Sequence, residues 1–313
     1  MQHVVCDLCG SERYKVRFPS TLESSDKTDL SAFRCTSNGY GRHHAIVECL
    51  NCGLVYANPR YDSGEMLVRY RAVEDPLYVE EREGRVLTFE RHLRPLEKIM
   101  PPGDGRRLLD VGCHVGVFVE IAAQHGWDAW GVEPSQWAAT LAQQAGLKVL
   151  EATMATAGFD DESFDVVTMW DVIEHLEHPS AEVRQACRLL KPSGLLVAHT
   201  MDLDSPFARL MGRRWPWLME MHLYYFSRRT LATLMEKCGF QVLAIKPHGR
   251  YLRLGYLATR VAAFSRPLGS VLGWLFGRLG VSNRAISINL GDLVTVYARK
   301  PDGDGIPHKP TCL

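Results

Sequence analysis

The chain carries no excess charge of either sign, because its 36 lysines and arginines balance its 36 aspartates and glutamates. A neutral chain has no general attraction for nucleic acid, so we expect no RNA or DNA partner. Long apolar runs are missing as well: none precedes Cys6, and the longest uncharged stretch near the end, residues 267–277, has 11 residues. That stretch is too short to span a bilayer. We therefore expect neither a signal peptide nor a membrane-spanning helix, which indicates a cytoplasmic protein.

The nine cysteines form no even framework beyond two short pairs, each with two residues between its members and a glycine directly after it. The short spacer lets both sulfurs of a pair bind one ion, and the glycine permits the tight backbone reversal behind them. A disulfide or redox pair is the alternative, but nothing else indicates the oxidising compartment it needs. The sequence thus predicts a zinc ribbon over residues 1–60, with an inserted excursion around Cys35. The four predicted zinc ligands are Cys6, Cys9, Cys49 and Cys52.

Strand and helix patterns alternate in the remainder of the chain. Residues 63–100 have apolar positions at helical spacing and a charged face, which predicts a helical linker or cap over residues 61–103. From Arg106 to His199 buried strands and helices alternate, which predicts a parallel sheet covered on both faces in a domain over residues 104–300. Ligands of such sheets bind at the carboxyl ends of the strands. Residues 301–313 are rich in proline, glycine and aspartate and predict a disordered tail.

The first strand of that sheet ends at a glycine-containing turn that begins with Asp110. Gly112 and Gly116 allow the backbone to approach a ligand closely, and the following helix amino terminus favours a negative group. The turn lacks the G-x-G-x-x-G spacing of a dinucleotide enzyme. Glu133 closes the second strand, 21 positions after Gly112, where a carboxylate can accept hydrogen bonds from a ribose diol. The pattern indicates a ligand that contains a nucleoside.

These motifs resemble those of the class I S-adenosylmethionine-dependent methyltransferases, and further matches lie at residues 163–167, 170–175 and 190–195. The resemblance implies an α/β fold, with a Rossmann-like seven-stranded methyltransferase sheet behind the small amino-terminal zinc ribbon, and S-adenosylmethionine as the methyl donor. His114 stands where the family usually has glycine, and the acid that often holds adenine is absent beside Met154. The residues that the resemblance implies for donor binding are Asp110, Gly112, Cys113, His114, Gly116, Glu133, Pro134, Met154 and Trp170.

The end of the ribbon, C-x-x-C-G-L-V-Y-x-N-P-R, is similar to that of bacterial methyltransferases associated with polysaccharide and cell-surface glycan assembly. That similarity implies O-methylation of a saccharide or lipid-linked glycan hydroxyl. Two other functions stay open. Ribosomal RNA methyltransferases also use an amino-terminal zinc ribbon, although the neutral charge speaks against them. A non-catalytic module that binds the cofactor would account for His114 and for the missing adenine-binding acid.

Acidic and histidine residues follow the fourth strand, where Asp171 is expected to face the transferred methyl group. Asp171, Glu174 and His175 share one face if this stretch is helical. A divalent-metal site completed by His222 is one interpretation, because the ubiquinone-pathway O-methyltransferases and the small-RNA 2'-O-methyltransferases carry a related pattern. The alternative is that Glu174 and His175 only fix the loop by hydrogen bonds, which leaves His175 or His222 as a base. The candidate catalytic residues are Asp171, His175 and His222.

A helical insert is predicted over residues 250–285. Its residues 250–284 contain six arginines, no lysine and no acid, in a mostly apolar background, and form two predicted helices separated at Pro267. Apolar helices that carry arginine alone suit a membrane surface or a phosphate-bearing lipid. A lid on the domain and a dimer face are the alternatives. The expected partner is a small-molecule, sugar or lipid-linked acceptor, with peripheral contact at the inner membrane face through residues 250–284 as one alternative.

Overall fold

The computed structural model describes residues 1–22, 30–62, 64–103 and 105–302. The predicted tail lies outside these residues from residue 303 onward. The strands are β1 (Tyr14–Phe18), β2 (Ile46–Cys49), β3 (Val55–Ala57), β4 (Arg107–Val111), β5 (Asp128–Val132), β6 (Val149–Leu150), β7 (Phe164–Trp170), β8 (Leu190–Met201), β9 (Tyr224–Tyr225), β10 (Gln241–Pro247), β11 (Arg250–Arg253), β12 (Ala285–Ile288) and β13 (Leu293–Arg299). The helices are α1 (Glu65–Arg71), α2 (Pro76–Glu80), α3 (Arg82–Ile99), α4 (Val117–Gln124), α5 (Gln136–Gln144), α6 (Pro179–Leu189), α7 (Pro206–Met211), α8 (Arg228–Lys237), α9 (Leu254–Ala262) and α10 (Arg266–Arg278).

A seven-stranded sheet in the order β10-β13-β8-β7-β4-β5-β6 forms the centre of the fold. Five neighbouring strands, β8, β7, β4, β5 and β6, run parallel to one another, and β13 is antiparallel to both of its neighbours. Successive residues of the central strands join different cores: Leu108 and Val166 belong to one, and Leu109 and Val167 to the other. Because side chains alternate along a strand, the two cores lie on opposite faces of the sheet. The predicted α/β fold with a seven-stranded sheet is confirmed.

The amino-terminal ribbon forms a second, four-stranded antiparallel sheet in the order β1-β2-β3-β9. Its last strand, β9, comes from the larger domain, between β8 and α8. Arg60, which is buried, adds a second connection: its Nη1 lies 3.0 Å from the Tyr224 hydroxyl and its Nη2 2.7 Å from the Glu177 carbonyl oxygen. The ribbon is thus joined to the sheet domain close to the ends of the parallel strands.

Residues 64–100, within the predicted helical linker, form the three helices α1 to α3. The chain breaks before α2 because Pro76 disfavours helical backbone at the residue before it and Asp75 caps a new helix through the amide of Tyr78. One prediction about the insert was wrong. In the insert, Pro267 lies in the first turn of α10 and not between the helices. The first turn tolerates proline, since its amide needs no partner there.

The helices of the insert are flanked by a two-stranded antiparallel sheet that the sequence did not predict, in which β11 pairs with β12. In the described part of the chain, every helix is too short or too polar to cross a membrane.

Candidate functional site

A cavity of about 900 Å³ lies at the carboxyl ends of β4, β5 and β7, which is where open α/β sheets bind ligands. Its volume is near the upper end of the range of about 300–1,000 Å³ for small-molecule sites. One end is lined by Gly112, Pro134 and Met154, and the other by His175, His222 and residues of the insert. The cavity therefore has room for two ligands side by side.

The glycine turn forms the wall of the first end. Gly112 and Gly116 have φ angles of 66° and 77°, a region that side chains rarely adopt. A Cβ on Gly112 would lie 2.8 Å from Cγ2 of Val172, and a Cβ on Gly116 would lie 2.5 Å from Cδ1 of Leu147. The turn therefore packs against both the segment between α5 and β6 and the loop after β7.

His114 occupies the turn position where the resembled family usually has glycine. Its φ is 50°, and its ring stacks on Tyr78 with 3.7 Å between the ring centroids. Burial, helped by the charge of Arg85, lowers the pKa of His114 to about 3, so the ring is neutral. The turn keeps a left-handed backbone here although the Cβ of His114 disfavours it, and the stacking of the ring on Tyr78 offsets part of that cost.

Glu133 is fully buried behind this turn. Its Oε2 accepts the backbone N–H of His114 (N–O 2.8 Å), and its Oε1 accepts that of Ser135 (N–O 2.7 Å). The Tyr70 hydroxyl lies 3.4 Å from Oε2, on the cavity side. Burial raises the pKa of Glu133 to about 7 in spite of these hydrogen bonds. A ribose diol would have to replace or join Tyr70 to reach the carboxylate.

The other supporting residues lie further from the cavity. Asp110 accepts a hydrogen bond from the Thr168 hydroxyl (O–O 2.6 Å), and burial raises its pKa to about 8, so it is largely protonated at neutral pH. Cys113 turns away and packs at Gly131, where an added Cβ would lie 2.5 Å from its sulfur. Five predicted donor residues line the cavity and four support the turn from behind. The lining residues are Gly112, His114, Pro134, Met154 and Trp170.

Asp171 faces the cavity at the end of β7, with a φ of 54°. Nη2 of Arg250 lies 3.3 Å from each of its carboxylate oxygens. Burial would raise the pKa of Asp171, but the charge of Arg250, followed by His199 and His92, holds it below its usual value. Asp171 is therefore an anion paired with an arginine from the insert.

Glu174, His175 and His222 come together beside Asp171, although residues 171–175 form a bend and a turn and not a helix. The His175 and His222 ring centroids are 4.8 Å apart. Nδ1 of His175 lies 2.9 Å from the Met221 carbonyl oxygen, and Nδ1 of His222 lies 2.6 Å from the Trp217 carbonyl oxygen. Each Nδ1 must donate its proton, which leaves both Nε2 atoms as lone-pair donors.

Burial lowers the pKa of both histidines, that of His222 to about 3, so both rings are neutral near pH 7. Oε2 of Glu174 accepts a hydrogen bond from the Thr200 hydroxyl (O–O 2.9 Å). One potential ligand atom from each of Glu174, His175 and His222 lies within 4.8 Å of the others. The group has the composition of a divalent-cation site, and Asp171 is not part of it.

The four predicted zinc ligands converge in the ribbon. Sγ of Cys6 lies 3.5 Å from that of Cys52, and Sγ of Cys9 lies 3.6 Å from that of Cys49. These distances exceed the S–S bond length of about 2.05 Å. They approach the separation of about 3.8 Å that tetrahedral geometry gives for Zn–S bonds of about 2.3 Å. The cluster fits a structural zinc site.

Several cavity residues had no signal in the sequence. Cys35, from the ribbon excursion, and Tyr70, Arg85 and Tyr256 line the cavity together with Arg250. Arg250 was grouped with a surface-binding set of arginines, because nothing in its spacing connects it with Asp171. Only the folded chain brings these side chains to the ends of the strands.

A Gly112→Ala substitution is expected to weaken S-adenosylmethionine binding about tenfold to a hundredfold, because the added methyl collides with Val172. Gly158→Ala is the matched control: its φ of 72° carries a similar backbone penalty, but a Cβ there meets nothing within 4 Å. Calorimetric titration with the donor measures its affinity for each variant, and thermal unfolding shows whether either variant has lost stability. Equal donor affinity in both variants would show that the glycine turn is not part of the donor site.

Comparison with known proteins gives the family. The methyltransferase domain family matches residues 78–245. An ubiquinone biosynthesis O-methyltransferase of Alkalilimnicola ehrlichii is 33% identical over 107 residues, which are 32% of this chain and 43% of that protein. The protein of the same name from Cereibacter sphaeroides is 35% identical over 125 residues, 36% of this chain and 49% of its own. The chain spans about half the length of the curated relatives it matches.

Among solved structures, a chain of the complex between the Haloferax volcanii Trm112 methyltransferase activator and its methyltransferase has a TM-score of 0.50 at 14% identity, and the match covers 73% of this chain and 95% of that one. At that identity the likeness shows the fold alone. The family match covers more than half of the 313 residues. The chain therefore belongs to the methyltransferase domain family, with the fold of the S-adenosylmethionine-dependent methyltransferases.

Proposed function

We propose that this protein is an S-adenosylmethionine-dependent O-methyltransferase that methylates a hydroxyl of a lipid-linked glycan. The observation that carries the proposal is the apolar lining of one end of the cavity. This is the end at His175, His222 and the insert, which we call the acceptor end. Five methionines besides Met154 line the cavity, together with Phe207, Trp217, Leu257 and Val261. The relatives, named O-methyltransferases, support oxygen as the methylated atom. The methionines are Met66, Met201, Met211, Met219 and Met221.

The lining favours a lipid-linked acceptor over a free sugar. A hydroxyl buried without a hydrogen-bond partner costs about 1–3 kcal/mol, and a free sugar would bring several of them against apolar walls. A lipid chain gains about 25 cal/mol for each Å² of apolar surface that it buries there. Methionine side chains adapt to irregular chains, since they are unbranched and polarisable. The polar groups beside the lining, Asp171, His175 and His222, then face the glycan hydroxyl.

S-adenosylmethionine supplies a methyl group on a positively charged sulfur, which needs no further activation. The residues of this chain have to align the acceptor and remove its proton. Alignment accounts for about 7–11 kcal/mol of barrier in favourable cases. His175 or His222 can take the proton at Nε2, because each is neutral and holds its other proton on Nδ1, although a pKa of about 3 makes His222 a weak base. Asp171 keeps a fixed negative charge at the point where β7 meets the cavity.

As an alternative to a histidine base, we propose that Glu174, His175 and His222 hold a divalent cation; each histidine would then bind it through Nε2 and could not accept the proton. Their donor set, one carboxylate and two imidazoles, suits such an ion, and the Nδ1–H bonds to carbonyls are the usual support of metal-binding histidines. A cation held there would polarise the acceptor hydroxyl and make its proton easier to remove. In the ribbon, we propose zinc at Cys6, Cys9, Cys49 and Cys52, as a structural ion.

Donor-dependent labelling tests the acceptor. The purified protein is incubated with methyl-labelled S-adenosylmethionine and either the organic-phase lipids, the aqueous saccharides or the RNA of a bacterial extract. Label in a lipid that loses it after mild acid release of the glycan supports the proposal. Label in the free saccharides or in RNA would show that the acceptor is a free saccharide or an RNA and not a lipid-linked glycan. Donor binding without labelling of any fraction would favour a non-catalytic, cofactor-binding module.

A further inference from the structure

One face of α10 is apolar and has no partner in the described part of the chain. Trp274 is 67% exposed and Val271 59%, and Leu268, Leu275 and Leu279 are exposed beside them. These positions follow the helical spacing of a single broad face. Contiguous exposed apolar surface of this kind marks an interaction site in most soluble proteins.

The opposite face of α10 is firmly packed. Gly269 is buried against α9, where an added Cβ would lie 2.4 Å from Cβ of Ala262. This close approach fixes the two helices as a hairpin. The exposed face is therefore presented by a packed element and does not result from a loose terminal helix.

The arginines of the insert divide into two groups. Arg253 binds Glu81, and Arg260 donates to the backbone carbonyls of Thr36 and Ser37, so these arginines are used inside the protein, like Arg250. The second group is exposed and has no acidic partner among the described residues. It consists of Arg266, Arg278 and Arg284. Between residues 250 and 290 the chain has no lysine and no acid, so the charged side chains of this segment are all arginines.

We propose that α10 docks on an anionic lipid bilayer, with its apolar face in the boundary between headgroups and acyl chains. Arg266, Arg278 and Arg284 then reach lipid phosphates, and Trp274 occupies the interface that tryptophan prefers. A second copy of the chain fits the same face poorly, because two-fold pairing would bring like charges together. A helix of this length lies on the membrane and does not cross it.

The same hairpin forms part of the cavity wall. Leu257 and Val261 of α9, followed by Phe264, line the acceptor end. Docking through α10 therefore brings that end close to the lipid from which a lipid-linked acceptor would enter. The entry of a lipid-linked acceptor from the membrane rests on the proposed function. The docking of α10 rests only on its exposed apolar face and the nearby arginines.

Vesicle flotation tests the docking. The full chain is mixed with vesicles of phosphatidylcholine alone or with a third of phosphatidylglycerol. We expect binding to the anionic vesicles and little to the neutral ones, with binding lost at high salt. Replacing Arg266, Arg278 and Arg284 by glutamine should weaken binding about a hundredfold, at about fivefold for each arginine. The double variant Trp274→Ser, Val271→Ser should weaken it about tenfold or more. Val16→Ser is the control, because Val16 is 58% exposed on the ribbon.

Equal binding to neutral vesicles, or unchanged binding by the arginine variant, would overturn the proposal. So would a dimer that forms without lipid and dissociates in the Trp274 variant, because the occupant would then be a second copy. Failure of the proposed function gives a different result: no labelling of a detergent-dissolved acceptor, while flotation is unaffected. Conversely, the Trp274 variant should methylate a detergent-dissolved acceptor at the wild-type rate, since it lies outside the cavity lining.

Discussion

Removal of zinc from the four-cysteine cluster is expected to unfold the ribbon and to weaken donor binding as well. Structural zinc binds with an apparent free energy of about 10–16 kcal/mol, which equals or exceeds the whole stability of a typical domain, about 5–15 kcal/mol. The ribbon excursion contributes Phe33, Cys35 and Tyr40 to the cavity, so its loss opens the wall beside the glycine turn. The measurements are made before and after treatment with a strong zinc chelator. Elemental analysis gives the zinc content, thermal unfolding gives the stability, and donor titration gives the affinity for S-adenosylmethionine.

A cysteine variant makes the same test without a chelator. Cys49→Ser should lose zinc and unfold the ribbon, because Cys49 is buried next to Cys9. Cys187→Ser is the control, since Cys187 is a free cysteine on α6, outside the cluster. Protein that is isolated with no zinc, and that unfolds at the same temperature as after zinc is added, would reduce the cluster to a group of reduced thiols.

The local motifs of this chain were predictable from its sequence. The apolar residues of β7 form a short buried run, which predicts a strand, and the side chain of Ser135 can accept an amide proton, which predicts the start of α5. The glycine turn was found through the backbone conformation that Gly112 and Gly116 require. Each of these signals depends on residues that are close in the chain.

Contacts between distant segments were not predictable. Strand β9 has two residues and shows no period of its own, yet it completes the ribbon sheet by pairing with β3. The ion pair of Asp171 with Arg250 joins residues 79 positions apart. His222 was a candidate ligand only through a family pattern, and its distance from His175 depends on the carbonyl groups that hold both rings. Such geometry follows from packing and not from spacing.

Replacing His222 by alanine is expected to lower kcat by about 10²–10⁴-fold, the usual contribution of a positioned proton acceptor. Donor affinity should not change, because His222 lies at the acceptor end and the glycine turn at the other. If the imidazoles hold a cation, His175→Ala loses as much activity, and both variants bind Mn²⁺ more weakly in a titration. If His222 acts only as a base, a mild chelator that leaves zinc in the ribbon has no effect on the wild-type rate.

Two controls accompany the His222→Ala prediction: one for the loss of a histidine outside the cavity, and one for a loss of stability. His125→Ala removes a histidine that pairs with Glu97 outside the cavity lining, and it should keep wild-type kcat. Thermal unfolding shows whether loss of the His222–Trp217 hydrogen bond has loosened the loop. A folded His222→Ala protein with kcat within about twofold of wild type would remove His222 from the chemistry, because neither a base nor a cation ligand can be lost at so small a cost in rate. His175 or Asp171 would then be left to accept the proton, and the pairing of Asp171 with Arg250 makes it a weak base.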